Sequence, residues 1–485
     1  MKFLVYKNGK RAESLDLTGA YLFDPERIPL SSSKNITFDD GIIYVGDPGT
    51  ISAGLALPWD IEGVGSLMLP TTKLNIRQQP YLLNLELARA RLMEITRKCE
   101  DWAVFDEDKS NTQKAIAKAR SLYVEAMTCE DDPARASVLA DKCLHMAVVA
   151  SESLAQKQTG AVLTSKKKDG ELNRYTLGCV YQREYADNDQ YVKHMLDNFA
   201  YITVPVTWKD IEPRQGEYDY SSIDKALLKF KGKKVFLSVG PLIRFNEDCL
   251  PEWVFKYDFE RVQEYVYGFI SETVNKYAGK IHQWNLISSM NSDNCMNFGF
   301  DQCIEMTRTA CVSAKATDTK SLKMVEIDCP WSCYHIDKPF TISAVMYADL
   351  LVSNAIIFDC MGINMSFGKG GGDMFVRDLM QISAMLDRIC VTSRPVHISG
   401  VSSPAAGNGD SGGYWRNPWS ESSQAAWLEA LYRIFLGKNQ IGTVTYSTLA
   451  DVEGSESCDG LYNSSLEPKA AAKTIRKFSK FILHK

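Results

Sequence analysis

Trp208-Lys209-Asp210-Ile211-Glu212-Pro213-Arg214-Gln215-Gly216-Glu217-Tyr218-Asp219-Tyr220 follows a short β-type run, Tyr201 to Val206, and is separated from the next such run, Val235 to Val239, by an amphipathic segment. The same alternation extends in both directions. Tyr175 to Val180 lies upstream, and Ile281 to Ile287, Met324 to Ile327, Ile356 to Ile363, Val396 to Ile398 and Thr443 to Tyr446 lie downstream. Strands alternating with helices in this number, over roughly 310 residues, predict an α/β fold, a (β/α)₈ TIM barrel spanning residues 172–485. The carboxyl ends of its strands are then where chemistry is expected.

Upstream of residue 172 the patterning differs. Residues 1–75 place short β-type runs, such as Phe3 to Tyr6, Ile42 to Val45 and Ile51 to Leu57, between turn signals such as Asp39-Asp40-Gly41 and Asp47-Pro48-Gly49, the spacing of a small β-sandwich. Residues 76–160 read as a helical connector. Leu85, Ala88, Leu92, Ile95, Cys99 and Trp102 form one apolar stripe that needs a partner surface, a second helix runs from about Asn111 to Cys129, and a third follows the capping pair Asp132-Pro133 to about Gln158. Residues 161–171, with Lys166-Lys167-Lys168, read as a solvated linker.

Composition narrows the function classes. Of 485 residues, 45% are apolar and 24% charged, which excludes a disordered or collagen-like chain. The net charge of −5 gives no basic field for nucleic acid, so no nucleic-acid partner is expected. No stretch is apolar enough to span a bilayer, and the start is broken by charges after four residues, so no membrane association and a cytoplasmic location are expected. Thirteen cysteines without a Cys-x-x-Cys pair fit reduced thiols. The six histidines are dispersed, so no metal is expected, and Lys369-Gly370-Gly371-Gly372-Asp373 lacks phosphate-loop spacing and reads as a loop.

The Trp208–Tyr220 stretch, followed by Asp224, resembles the strand-two signature of glycoside hydrolase family 10, the endo-β-1,4-xylanases. Leu250-Pro251-Glu252-Trp253, Trp284-Asn285-Leu286-Ile287, Asp359-Cys360-Met361-Gly362-Ile363 and Gly460-Leu461-Tyr462 through Glu467-Pro468-Lys469-Ala470 resemble later landmarks of that family in the same order. The resemblance implies retaining hydrolysis of O-glycosyl bonds by two carboxyl groups about 5 Å apart, with no cofactor.

Carried over position by position, the resemblance places serine and glycine where those carboxyls belong. Ser289 stands at the acid/base position, after Ser288 in place of asparagine, and Gly400 stands at the nucleophile position in Ile398-Ser399-Gly400-Val401-Ser402. The substrate-gripping positions also differ. The family's Asn-Glu-Met-Lys-Trp corresponds to Val204-Pro205-Val206-Thr207-Trp208, the strand-three histidine and tryptophan to Gly240 and Arg244, and the strand-six glutamine and histidine to Asn364 and Ser366. Positioned acid–base catalysis alone contributes roughly 10²- to 10⁴-fold, so losing both groups leaves little catalysis of the family type.

Other carboxylates near strand ends are the fallback: Glu326, Asp293, Asp359, Asp410, Asp451, Glu453 and, above all, Asp328. Asp328 also reads as a structural hydrogen-bond acceptor. Trp208, Arg244, Asn364, Trp331, Tyr414, Trp415 and Trp419 are the expected substrate-binding residues; the alternative for the rings is that they fold a long loop onto the barrel. The expectation is a carbohydrate-related, non-catalytic glycan-binding or structural protein on a hydrolase barrel, with an oligo- or polysaccharide ligand and homo-oligomers formed through the amino-terminal domains. The alternative is an active glycoside hydrolase with relocated carboxylates.

Overall fold

A computed structural model describes residues 1–102, 111–129, 131–370, 372–407, 409 and 412–483. The amino-terminal region forms two main antiparallel layers, apart from one parallel strand pair. One sheet runs in the order Tyr81–Leu82, Lys2–Leu4, Ile42–Val45, Ile36–Asp39, and the other joins Gly65–Pro70, Ser52–Ile61 and Tyr21–Phe23. Alternation decides which side chains enter the core between them: Ile43 and Val45 are buried while Ile42 and Tyr44 are half-exposed. The second sheet gains an edge strand from far along the chain, because Tyr414–Trp415 pairs antiparallel with Gly65 and Ser66.

Three helices follow: α1 (Leu83–Asp101), α2 (Asn111–Met127) and α3 (Pro133–Lys168). Asp132 caps α3 by accepting from the Arg135 N–H at 3.0 Å, with Pro133 in the first turn, as the sequence leads one to expect. The linker expected over 161–171 is largely absent, since α3 continues ten residues beyond Gln158 to Lys168. No proline interrupts it, and Thr159 bonds back to the Ala155 carbonyl at 2.8 Å instead of breaking the helix. Nor are the three lysines a solvated loop. Lys166 is buried and donates to the carbonyls of Lys438 and Ile441, both at 2.9 Å, satisfying acceptors near the end of a barrel helix.

The apolar stripe of α1 finds its partner within the same chain. α1 packs against α3, and its Arg91 and Lys98 reach the barrel helix Leu379–Cys390 and its cap, binding Asp387 (Lys98, 2.7 Å) and Asp378 (Arg91, 2.9 Å).

The barrel strands are β1 (Leu177–Val180), β2 (Tyr201–Val204), β3 (Phe236–Val239), β4 (Gln283–Ser288), β5 (Leu322–Asp328), β6 (Cys360–Ser366), β7 (Val396–Ser402) and β8 (Ile441–Tyr446). All pairings between them are parallel, β1 pairs with β8, and β3 pairs with β4, which closes the cylinder; a short strand, Ile243–Arg244, adds to β4 beside β3. The N-terminal sheets lie against loops at the carboxyl ends of the barrel strands. Lys34 reaches Asp337 after β5 at 3.0 Å, Met68 N–H donates to the Val376 carbonyl after β6 at 2.8 Å, and Tyr414–Trp415 comes from the loop after β7.

Candidate functional site

The strand tips on one side of the barrel bring together Arg244, Ser288, Ser289, Asp293, Glu326, Asp328 and Asn364. Register explains the grouping: Arg244 and Glu326 both lie opposite Ser288, while Asn364 lies opposite Asp328 on one side and Gly400 on the other. Period-two alternation puts Glu326 and Asp328 on one face of β5 and Ile327 on the other.

Arg244 is the centre of charge. Its guanidinium donates to Asp328 Oδ2 at 3.0 Å and to Asp293 Oδ2 at 3.1 Å through the same nitrogen, with a second contact to Asp293 at 3.3 Å. Lys338 reaches the other Asp293 oxygen at 3.3 Å. Burial works against the Arg244 charge, but the two aspartates outweigh it and hold its pKa above the ordinary arginine value. Asp328 Oδ1 accepts from the Cys329 N–H at 2.9 Å. Ser289 and Cys329, the first residues beyond β4 and β5, have φ of 60° and 52°, so both strands end in left-handed turns that fold these backbones over the site.

One layer deeper, Glu326 is 8% exposed. Its carboxyl oxygens accept from Ser288 Oγ at 2.6 Å and Asn285 Nδ2 at 3.0 Å. Burial raises its pKa, opposed by the serine hydroxyls of Ser288 and Ser399. Gly362 makes room for it, since a Cβ there would stand 3.2 Å from Glu326 Cγ. Ser289 is fully buried, with its hydroxyl 2.9 Å from Ser288 Oγ and 3.4 Å from Asp328 Oδ2. At Gly400 a Cβ would collide with Asn364 Oδ1 and lie 3.1 Å from Ser447 Oγ. The Asn364 amide therefore occupies the space a longer side chain on β7 would use.

The other carboxylates do not converge with these. Asp359 precedes β6 and accepts from the Lys323 N–H at 2.8 Å near the start of β5, so it lies at the amino-terminal end of the barrel, opposite the face where the sequence suggested it. Asp451 is paired with Lys469 at 2.5 Å, and Glu453 is exposed. Asp410 lies outside the described residues.

The expected aromatic platform is mostly consumed by packing. Trp208 is fully buried against Phe269 and Trp253 and donates to Glu212 Oε2 at 2.8 Å. Trp331 is 9% exposed, with the Arg377 guanidinium 4.2 Å from its ring centre. Trp415 donates to Glu152 Oε1 on α3 at 2.8 Å, and Trp419 donates to the Gly413 carbonyl at 2.8 Å while packing on Gly368. With Tyr414 on the sandwich edge strand, these rings fold the loop after β7 down, which is the alternative the sequence left open; none of the four tryptophans presents an open face for stacking. Arg244 and Asn364 do stand at the strand tips.

Sequence reasoning missed Lys338, Asn291 and Tyr334. Asn291 donates to the Asp328 carbonyl at 3.1 Å and to Tyr334 OH at 2.7 Å, and Tyr334 donates to the Ile342 carbonyl at 2.6 Å, tying the loop after β4 to the loop after β5. No spacing signal marks these residues, because they meet only when the two loops cross. Among the described residues no cluster of three or more metal-ligating side chains forms, and no helix is long and apolar enough to cross a membrane.

Comparison with known proteins agrees with this architecture. The model of Glycosyl hydrolase family 10 matches residues 167–477. Among solved structures, a GH10 protein from Paenibacillus barcinonensis superposes with a TM-score of 0.51 at 17% identity, covering 68% of this chain and 98% of its own. Xylanase 10B from Thermotoga maritima gives 0.51 at 14% identity, covering 67% and 98%, and xylanase 10B from Thermotoga petrophila, in complex with xylobiose, gives 0.50 at 14%, covering 66% and 96%. At such identities the likeness concerns the fold alone. No curated protein matches the chain. The family match covers well over half of the sequence and coincides with the closed eight-stranded barrel, so the chain belongs to glycosyl hydrolase family 10.

Proposed function

We propose that this chain is a family 10 barrel that does not cleave glycosidic bonds by the two-carboxylate route and acts as a non-catalytic glycan-binding or structural protein. The observation that carries this reading is at Gly400, the position aligned with the nucleophile: it has no side chain, and Asn364 fills the space one would need. The acid/base position is supported in the same direction, since Ser289 offers only a hydroxyl. Asp328 and Asp293 do not replace the pair. Their oxygens share one arginine nitrogen and so lie within about 6 Å of each other, near the separation a retaining enzyme uses, but both are engaged by the Arg244 salt bridges. A saccharide ligand, by analogy with the xylobiose-bound relative, would meet Arg244, Asn364 and Lys338 rather than an aromatic platform.

One observation favours an active enzyme: Glu326 is a buried carboxyl with a raised pKa, hydrogen-bonded toward the strand tip. Prolonged incubation with β-1,4- and β-1,3-linked oligosaccharides, read by mass spectrometry, separates the readings. The expected result is no product from any substrate. Turnover that is abolished in Asp328→Ala overturns the non-catalytic reading in favour of relocated carboxylates.

A further inference from the structure

Two barrel helices, Phe259–Lys276 after β3 and Phe300–Thr317 after β4, are tied to each other by a ladder of polar groups. Gln263 Nε2 donates to Thr309 Oγ1 at 2.7 Å, Ser313 Oγ donates to the Tyr267 carbonyl at 2.7 Å, and the hydroxyls of Ser271 and Thr317 stand 3.1 Å apart. Positions 263, 267 and 271 recur every four residues on one helix, as do 309, 313 and 317 on the other, so each set lies along one row and the rungs meet in register. These bonds hold the two backbones together and leave the Tyr267 ring out of the seam.

An open groove of about 350 Å³ runs along this seam, lined by Gln263, Glu264, Tyr267 and Thr309. Tyr267 is 43% exposed, and among the described residues no ring or cation packs on it and its hydroxyl has no partner. The polar groups left over beside the ring are acceptors. Thr309 spends its proton on the Glu305 carbonyl at 2.9 Å, and the Gln263 amide nitrogen is bound to Thr309. Glu264 is paired through one oxygen with Arg261, which offsets its charge. Gln263 Oε1 and the second Glu264 oxygen remain to accept hydrogen bonds.

A flat ring flanked by acceptors, with its one charge already offset, suits a neutral molecule that carries hydroxyl donors on its edge and C–H groups on its face. That is the chemistry of a pyranose ring. An anion would find no cation among the four lining residues. Gly268, one turn beyond Glu264, adds to the opening. It sits inside the helix, where glycine is less stable than alanine, yet a Cβ there would meet no atom within 4 Å, so packing within the chain does not demand it.

We propose that this groove is a second saccharide-binding site, on the outer wall of the barrel, with Tyr267 as the stacking ring and Gln263 and Glu264 as acceptors for sugar hydroxyls. It rests on the glycan-binding part of the proposed function. Its ligand class is a neutral oligo- or polysaccharide, held by a wall that the hydrogen-bond ladder has already set in place.

The test is photo-crosslinking of the full chain with xylohexaose carrying a diazirine at its reducing end, the labelled peptides being identified by mass spectrometry. The expected result is labelling within residues 259–276 and 300–317 that excess unmodified xylohexaose suppresses. It should fall about tenfold in Tyr267→Ala and be retained in Tyr267→Phe, which keeps the ring. The wild-type result does not depend on any variant folding. Labelling confined to the strand tips overturns the second site and leaves glycan binding standing. Equal labelling in Tyr267→Ala also overturns the site, and no labelling anywhere overturns both the site and the glycan-binding part of the proposed function. Product release in the hydrolysis assay counts against the non-catalytic reading alone, since labelling of the groove is read independently of cleavage.

Discussion

Arg244 holds Asp328 by a 3.0 Å salt bridge while using the same nitrogen on Asp293, so one guanidinium ties the tips of β4 and β5 together. Its side chain is 31% exposed and those of Asp328 and Asp293 are 16% and 21% exposed, which places the cluster between a surface pair and a buried one. Arg244→Met leaves two carboxylates facing each other without their cation. The expected loss is about 1–3 kcal/mol, below the cost for a fully buried pair because water screens the site. Urea unfolding measures it, and Arg244→Met combined with Asp328→Asn should recover part of the loss; an unchanged midpoint in the single variant argues against the clamp.

Gly400→Ala tests how the β7 tip is filled. Its Cβ collides with Asn364 Oδ1, so the variant should lose about 1–3 kcal/mol through overpacking. Pairing it with Asn364→Ser removes the obstructing amide. Thermal unfolding should then show the double variant more stable than the sum of the two single effects; strict additivity would mean that Asn364 does not occupy the space.

Arg91 and Asp378 join α1 to the loop before the helix Leu379–Cys390, and their side chains are 4% and 0% exposed. Arg91→Met strands a buried carboxylate and should cost about 3–5 kcal/mol. Truncation uncovers the same carboxylate. A fragment of residues 172–485 bares Asp378 and the Trp415 ring, and it should be recovered as aggregate, whereas a soluble, cooperatively unfolding fragment would show that the amino-terminal layers are dispensable.

Glu152 on α3 receives hydrogen bonds from Trp415 Nε1 at 2.8 Å and the Leu379 N–H at 3.3 Å. Burial first, and Asp378 second, push its pKa up to about 7. Because the folded state holds this proton more tightly than the unfolded chain, its cost to stability is absent below the unfolded carboxyl range. That cost grows as pH rises toward 7 and is constant above it. Burial pushes Asp373 up to about 7 in the same sense, so only the difference from a variant isolates Glu152. Glu152→Gln keeps the accepting oxygen and should be more stable than the wild type at pH 8, with the advantage shrinking toward pH 4.5; an advantage independent of pH would refute the assignment.

Much of the barrel is legible in the order of residues alone. Each of the eight apolar or β-branched runs corresponds to an observed strand, because a strand buried in a parallel barrel must be apolar almost throughout and short. The extents of the strands are less legible. The run at Ile356 starts before β6, whose strand extends to Ser366, because polar residues such as Asn364 and Ser366 can end a strand at a barrel mouth without leaving the sheet.

Local chemistry alone also set the capped start of α3, the absence of a basic field, and the residues at the two positions aligned with family carboxyls. Partners distant in sequence decided the rest. The expected linker is helix, with Lys166 bound to two carbonyls at the start of β8, and the tryptophans after β7 are packing because Glu152 and a sandwich edge receive them. The Ser288–Glu326 hydrogen bond exists only because β4 and β5 pair in one register, which sets Ser288 opposite Glu326. Periodicity records which face of an element is buried; it carries no information about which distant side chain will meet it there.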